Sequence, residues 1–122
     1  MGIVHRIDRR QEPRIRTNLA VTVWGVDIEG ERFVQEARAR DISLSGALLS
    51  GLDSELKSGD LVGVLYSGKK ARYRVIWLRY SDDATQKIQA AVQRMEADAC
   101  PWIDVLVEEW APGSQPEDAL LR

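Results

Sequence analysis

Apolar and polar residues trade places at every second position over much of this chain. Leu19, Val21 and Val23 alternate with Ala20, Thr22 and Trp24 before Gly25, the period of a strand with one buried face. A second extended run covers Glu31 to Ser43, with Gly30 as its turn signal, and a short strand over Gly46 to Ser50 closes in the loop Gly51-Leu52-Asp53-Ser54. Leu61 to Ser67 is apolar on both faces apart from Gly63, so this strand lies inside a barrel or under a cover. Gly68-Lys69-Lys70 reads as a hairpin tip leading to Ala71–Tyr80, where Tyr73, Val75 and Trp77 share one face and Arg72, Ile76 and Leu78 the other. Lys87 to Arg94 is the sixth strand, with Ile88, Ala90 and Val92 on one side.

The period changes only near the carboxyl terminus. Pro101 starts a helix in which Trp102, Ile103, Leu106, Val107 and Trp110 fall on one stripe, opposite Asp104 and Glu108, and Ala111-Pro112-Gly113 stops it. A helix of about ten residues is marginal alone and must pack on the barrel mouth or on a second subunit. The pattern predicts an all-β fold, a six-stranded antiparallel barrel with a C-terminal α-helix, in preference to a βαβ arrangement. Residues 1–17 read as a flexible arginine-rich arm interrupted by Pro13, residues 18–111 as the barrel with its helix, and residues 112–122 as a loose acidic tail.

At 122 residues the chain holds one domain with one core. A net charge of −2 provides no global field toward nucleic acid or an anionic membrane. Its distribution is more telling. Arg6, Arg9, Arg10, Arg14 and Arg16 crowd the amino terminus, whereas residues 96–122 carry seven carboxylates against Arg122 alone. Arginine outnumbers lysine 13 to 4, and planar forked donors suit specific anion recognition better than lysine does. Cys100 and His5 are single, which excludes a disulfide or a Cys/His zinc site within one chain; no metal site is expected. No apolar run approaches a membrane span and no signal core opens the chain, so a cytoplasmic setting is expected.

Two short motifs carry the candidate chemistry. Arg10-Gln11-Glu12-Pro13-Arg14 sets two arginines four residues apart, and Asp41-Ile42-Ser43-Leu44-Ser45-Gly46 follows with Asp41 twenty-seven residues after Arg14. Such arginines reach a phosphate and the O6/N7 edge of a guanine; a carboxylate accepts from the guanine amino group or steadies an arginine. Asp41 and Ser43 share parity, hence one face of an extended segment, and Gly46 permits a positive φ or a close backbone approach. The same Asp/Ser/Gly pattern also describes an ordinary capped turn.

In order and spacing, Arg-x-x-x-Arg followed by Asp-x-Ser-x-x-Gly resembles the PilZ family of small β-barrel receptors for the bacterial second messenger cyclic di-GMP, over roughly Arg9 to Met95. The resemblance implies that Arg10 and Arg14 grip guanine edges and phosphates, that Asp41 and Ser43 hold a guanine edge, and that Gly46 shapes the turn. Arg9, just before the first motif arginine, resembles members that bind an intercalated dimer of the nucleotide. Binding would order the arm onto the barrel and create a surface for a downstream protein partner, with a homodimer also possible.

No nucleophile or acid–base pair is arranged for catalysis, so no enzyme is expected. Two other readings use the same residues: a PilZ-fold adaptor that works through protein contacts without nucleotide, and a small barrel that binds single-stranded nucleic acid through the arm. The acidic carboxyl-terminal half argues against the second. By their regular alternation Tyr73 and Trp77 are expected in the core, as are Trp102 and Trp110 in core or interface. Arg79 and Arg94 read as rim charges and Cys100 as a small apolar filler.

Overall fold

The inward parity of every strand is apolar, and burying it requires the sheet to close on itself. In the computed structural model, which describes residues 12–82, 84–85 and 87–110, the strands are β1 (Ile15–Val26), β2 (Arg32–Ile42), β3 (Gly46–Leu52), β4 (Leu61–Tyr66), β5 (Lys69–Tyr80) and β6 (Ile88–Arg94). They form a closed antiparallel barrel in the order β1-β2-β3-β6-β5-β4, with β4 returning to β1 through Thr22–Leu65, Val23–Val64 and Trp24–Gly63. Val23, Ala39, Leu49, Val64, Tyr73, Val75 and Ala90 fill its interior. Closure leaves no open sheet edge for another chain to extend.

β1 begins at Ile15, so Ile15, Arg16 and Thr17 belong to the barrel and not to the arm, with Ile15 opposite Ile42 and Arg16 opposite Asp41. The rest of the predicted arm, through Gln11, and the predicted tail lie outside the described residues. The tip between β4 and β5 is Ser67-Gly68, one residue earlier than the sequence pattern indicates, because Lys69 already pairs with Tyr66. Positive φ values at Ser67 (51°) and Gly68 (82°) match a two-residue turn whose twist suits antiparallel strands. The cover expected over β4 is Trp24: a Cβ on Gly63 would lie 2.1 Å from the Trp24 ring, so only glycine lets the indole lie flat there.

The helix α1 (Ile103–Trp110) joins the barrel core through Leu106, with Ile103 and Val105 packed against the same cluster. Trp102, in the turn before it, and Leu106 are fully buried, and the Trp102 ring meets Tyr73 and Tyr66 at centroid distances of 5.5 and 6.5 Å. Its apolar stripe is narrower than the sequence indicates, since Val107 is half exposed. Cys100 is buried beside Trp102, and burial pushes its thiol pKa up, as befits an apolar filler.

Tyr73 lies at the centre of this packing with its hydroxyl buried and without a hydrogen-bond partner among the described residues; burial raises its pKa. An unpaired buried hydroxyl costs stability, whereas the ring supplies packing. Tyr73→Phe is therefore expected to melt at or above the parent's temperature, by up to about 1 kcal/mol, while Tyr73→Ala loses about 3–5 kcal/mol. Thermal or denaturant unfolding measures both, and a clear loss in Tyr73→Phe would show that the hydroxyl has a partner.

A second prediction concerns the segment between β6 and α1. Asp98 accepts from Arg72 Nε, Nη2 and the backbone amide at 2.9, 3.0 and 2.7 Å. These bonds, the side-chain pair first, hold its carboxyl at about 2, below the ordinary 3.8. A depressed carboxyl pKa stabilises the fold above the unfolded value and loses that contribution as pH falls through the folded one, here between 3.8 and about 2. Melting temperature in Asp98→Asn should accordingly fall less steeply with pH across that window than in the parent.

Candidate functional site

The turn from Ser43 to Gly46 joins β2 to β3 and is held by its own atoms. The Ser43 amide donates to the Gly46 carbonyl at 3.0 Å, and the Gly46 amide donates to Ser43 Oγ at 3.1 Å. The Ser43 hydroxyl is thus engaged inside the turn and the residue is buried. Gly46 does not use a positive φ. Its requirement is space: a Cβ there would lie 2.8 Å from the Val92 carbonyl of β6. Of the two reasons the motif allows for this glycine, close backbone approach is the one that operates.

Neighbours tie the same turn to the rest of the molecule. The Ser43 carbonyl accepts from Trp102 Nε1 at 3.1 Å and from Cys100 Sγ at 3.9 Å. Arg94 Nε donates to the Leu44 carbonyl at 2.8 Å and its amide to the Ser45 carbonyl at 2.7 Å, so Arg94 is a partly buried pin and not a rim charge. On the other side Glu12 accepts from the Ser45 hydroxyl at 2.7 Å and the Ser45 amide at 3.2 Å. Glu12 lies between the two motif arginines, so this contact joins the motifs through positions that neither motif names.

Two β-bulges then aim side chains at the turn. On β2, Ala39 pairs with Leu49 but Asp41 with Leu48, leaving Arg40 as an extra residue; Ala39 and Ile42 point inward, and Arg40 and Asp41 both point away from the core. On β5, Val75 pairs with Val92 but Trp77 with Ala91, leaving Ile76 extra. Val75 is buried, while Ile76 and Trp77 are each 43% exposed. Trp77 is therefore not in the core with Tyr73, as strict alternation predicts, because the bulge reverses the parity after Val75. The Arg79 guanidinium lies 5.3 Å from the Trp77 ring centroid, and its Nε donates to Gln89 Oε1 at 2.9 Å.

These elements enclose a cleft of about 420 Å³ whose lining includes Arg14, Asp41, Ser43, Ser45, Trp77 and Arg79. Such a volume falls within the range of small-molecule sites, about 300–1,000 Å³. Of the predicted site residues, the fold brings Arg14, Asp41, Ser43 and Gly46 to one cleft; Arg9 and Arg10 lie outside the described residues. It adds Trp77 and Arg79, for which the sequence offers only the weak signal of an aromatic and an arginine two apart near a strand end. Chemically the cleft offers forked cations, a carboxylate acceptor and an aromatic face, a set suited to an anionic ligand with a planar base.

A family model for the PilZ domain matches residues 8–105. The chain belongs to the PilZ family. Among solved structures, one chain described as "MrkH, A novel c-di-GMP dependence transcription regulatory factor" superposes with a TM-score of 0.57 at 18% identity, covering 83% of this chain and 51% of that one. This PilZ chain thus spans about half the length of that structure, and the likeness is one of fold. A comparison with curated proteins gives no match. Among the described residues no helix is long and apolar enough to cross a membrane, and no group of His, Cys, Asp or Glu is arranged to hold a metal ion.

If the Glu12–Ser45 contact positions Arg14 at the cleft, its loss should weaken binding of an anionic ligand even though a negative charge has been removed. Glu12→Ala is expected to lower cyclic di-GMP affinity about three- to tenfold, with Ser45→Ala similar and the double variant no worse than either alone, the mark of one shared interaction. Isothermal titration supplies the measurement. A tighter-binding Glu12→Ala would show that the carboxylate acts only as a repelling charge.

Proposed function

We propose that this PilZ protein is a cyclic di-GMP receptor and adaptor in bacterial second-messenger signalling. The observation that carries this reading is the convergence on one cleft of three distant stretches of the chain, which bring Arg14, Asp41 and the pair Trp77 and Arg79. Arg14 contacts a phosphate or a guanine edge, Asp41 accepts from guanine N–H groups, and the face of Trp77 stacks on a base with Arg79 steadying both ring and phosphate. Ser43 and Gly46 act by holding the turn that carries Asp41. Arg10 and Arg9 reach the ligand from the arm, and Arg9 favours two nucleotides per chain.

The output is a change of surface. Arm arginines repel one another until ligand phosphates neutralise them, and folding the arm over the occupied cleft presents a new face to a downstream protein. Ordering costs about 1 kcal/mol or more per residue fixed, and several charge-assisted bonds at about 1.5–3 kcal/mol each offset this when few residues are fixed. The Glu12–Ser45 contact limits that number by anchoring the end of the arm before ligand arrives.

Titration with cyclic di-GMP tests the assignment. The parent is expected to bind, and Arg14→Ala or Asp41→Ala to weaken binding at least tenfold with cooperative melting retained, since one lost fork is worth about 1–3 kcal/mol. Trp77→Ala should cost about tenfold and Trp77→Phe less, because stacking needs a π face and not an indole. Absence of binding by the parent removes the proposal.

A further inference from the structure

On the side of the barrel away from β3 and β6, the outer wall formed by β2, β1 and β4 is apolar where a solvated strand face carries polar residues. Trp24 pairs with Val34 on one side and on the other with Gly63, over which its indole lies. Val26 and Leu61 stand two residues beyond that second pair, and Leu65, opposite Thr22, continues the strip. Val34 is 73% exposed, Val26 51% and Leu61 44%, while Trp24 and Leu65 are half-buried. Single exposed apolar side chains are ordinary, but a contiguous set marks a surface that something covers.

The strip has a border of one sign on its β5 side. Leu65 pairs with Lys70 and Leu61 with Arg74. Among the described residues Lys70 makes no hydrogen bond or ion pair, and Arg74 donates to the Gly59 carbonyl and to Met95 Sδ, so neither cation meets a carboxylate. Arg72, between them, is taken by Asp98. On the β2 side Arg32 and Glu36 offset each other. A covering segment therefore needs apolar side chains for the strip and carboxylates for the β5 border.

The chain carries such a segment beyond α1. Glu117-Asp118-Ala119-Leu120-Leu121 sets two carboxylates beside two leucines. Its tether starts close to the border. Lys69 Nζ pairs with Asp104 at 2.7 Å, which fixes the start of α1 beside the strand end that carries Lys70. From Asp104 to Trp110 the helix extends about 9 Å. The stretch from Trp110 to Leu120 spans up to about 33 Å when extended, against about 10 Å across two strand spacings. A second copy of this face is a poorer cover, since it brings Lys70 and Arg74 again without an excess of carboxylates.

We propose that residues 117–121 dock in cis on this wall, with Leu120 and Leu121 against Trp24 and its apolar neighbours and with Glu117 and Asp118 toward Lys70 and Arg74. The docked segment covers the strip and neutralises its basic border. It engages a wall that contributes nothing to the nucleotide cleft, so it holds whether or not that cleft binds a ligand.

Nuclear Overhauser contacts in the full chain test the docking. The parent is expected to show contacts between the methyl groups of Leu120 or Leu121 and the Trp24 ring, unchanged on dilution and absent between labelled and unlabelled chains mixed in one sample. Leu120→Asp/Leu121→Asp should remove them and shift the Trp24 indole N–H signal. Lys70→Glu, which turns the border against the carboxylates, should shift that signal in the same direction, with the Trp77 indole unmoved as an internal control. A Trp24 signal at its parental position in either variant overturns the docking. Contacts that form only between chains overturn it in favour of association of two copies, and a parent without contacts from the segment to this wall overturns it outright.

Discussion

The Ser43 carbonyl is the point on which core, helix and cleft all bear. It accepts from the buried Trp102 indole, and that indole packs on Tyr73 at the centre of the barrel. The residue that carries the carbonyl also closes the turn with Gly46, and Asp41 projects from β2 two residues earlier. A buried carbonyl without a partner is costly, so indole and turn hold each other in place. Arg94 and Glu12 fasten the flanking residues Leu44 and Ser45. The wall of the site is therefore built from atoms whose first task is structural, which makes the cleft rigid where Asp41 stands.

Bulges do the aiming. Regular pleating would send Arg40 and Asp41 to opposite faces, and likewise Ile76 and Trp77. One extra residue on β2 and another on β5 turn both pairs away from the core, and the two strands flank β3 and β6, so both bulges border the same cleft. Bulges are common beside binding sites because they redirect side chains without altering the fold around them. Here they convert a barrel wall into a surface that displays an acid, an aromatic ring and several arginines within one small area.

The barrel wall presents its polar side chains already ordered. Strand residues such as Asp41 and Trp77 are fixed by ladder pairing and have little freedom left to lose on meeting a ligand. Glu12 stands at the junction, and its bond to Ser45 brings the end of the first motif to the start of β3.

Six strands, their approximate limits and the terminal helix were legible in the sequence, because burial on one face imposes a period of two and a helix a period of 3.6 on local residues. The two motifs themselves were legible too, since spacing and residue type survive without a structure, and of the first motif's arginines the described residues place Arg14 beside Asp41. What required the tertiary fold was anything that depends on register between strands distant in the chain. The parity of Trp77 reverses at a bulge that exists only because β5 pairs with β6, and nothing local to Tyr73–Trp77 announces it. Gly46 owes its identity to the Val92 carbonyl of β6, and Arg94 its role to the Leu44 carbonyl fifty residues away. The sequence alone determined which side chains alternate and which chemistry they bring; the closed sheet decided which of them meet, because ladder hydrogen bonds and packing against a shared core are long-range constraints that no local period encodes.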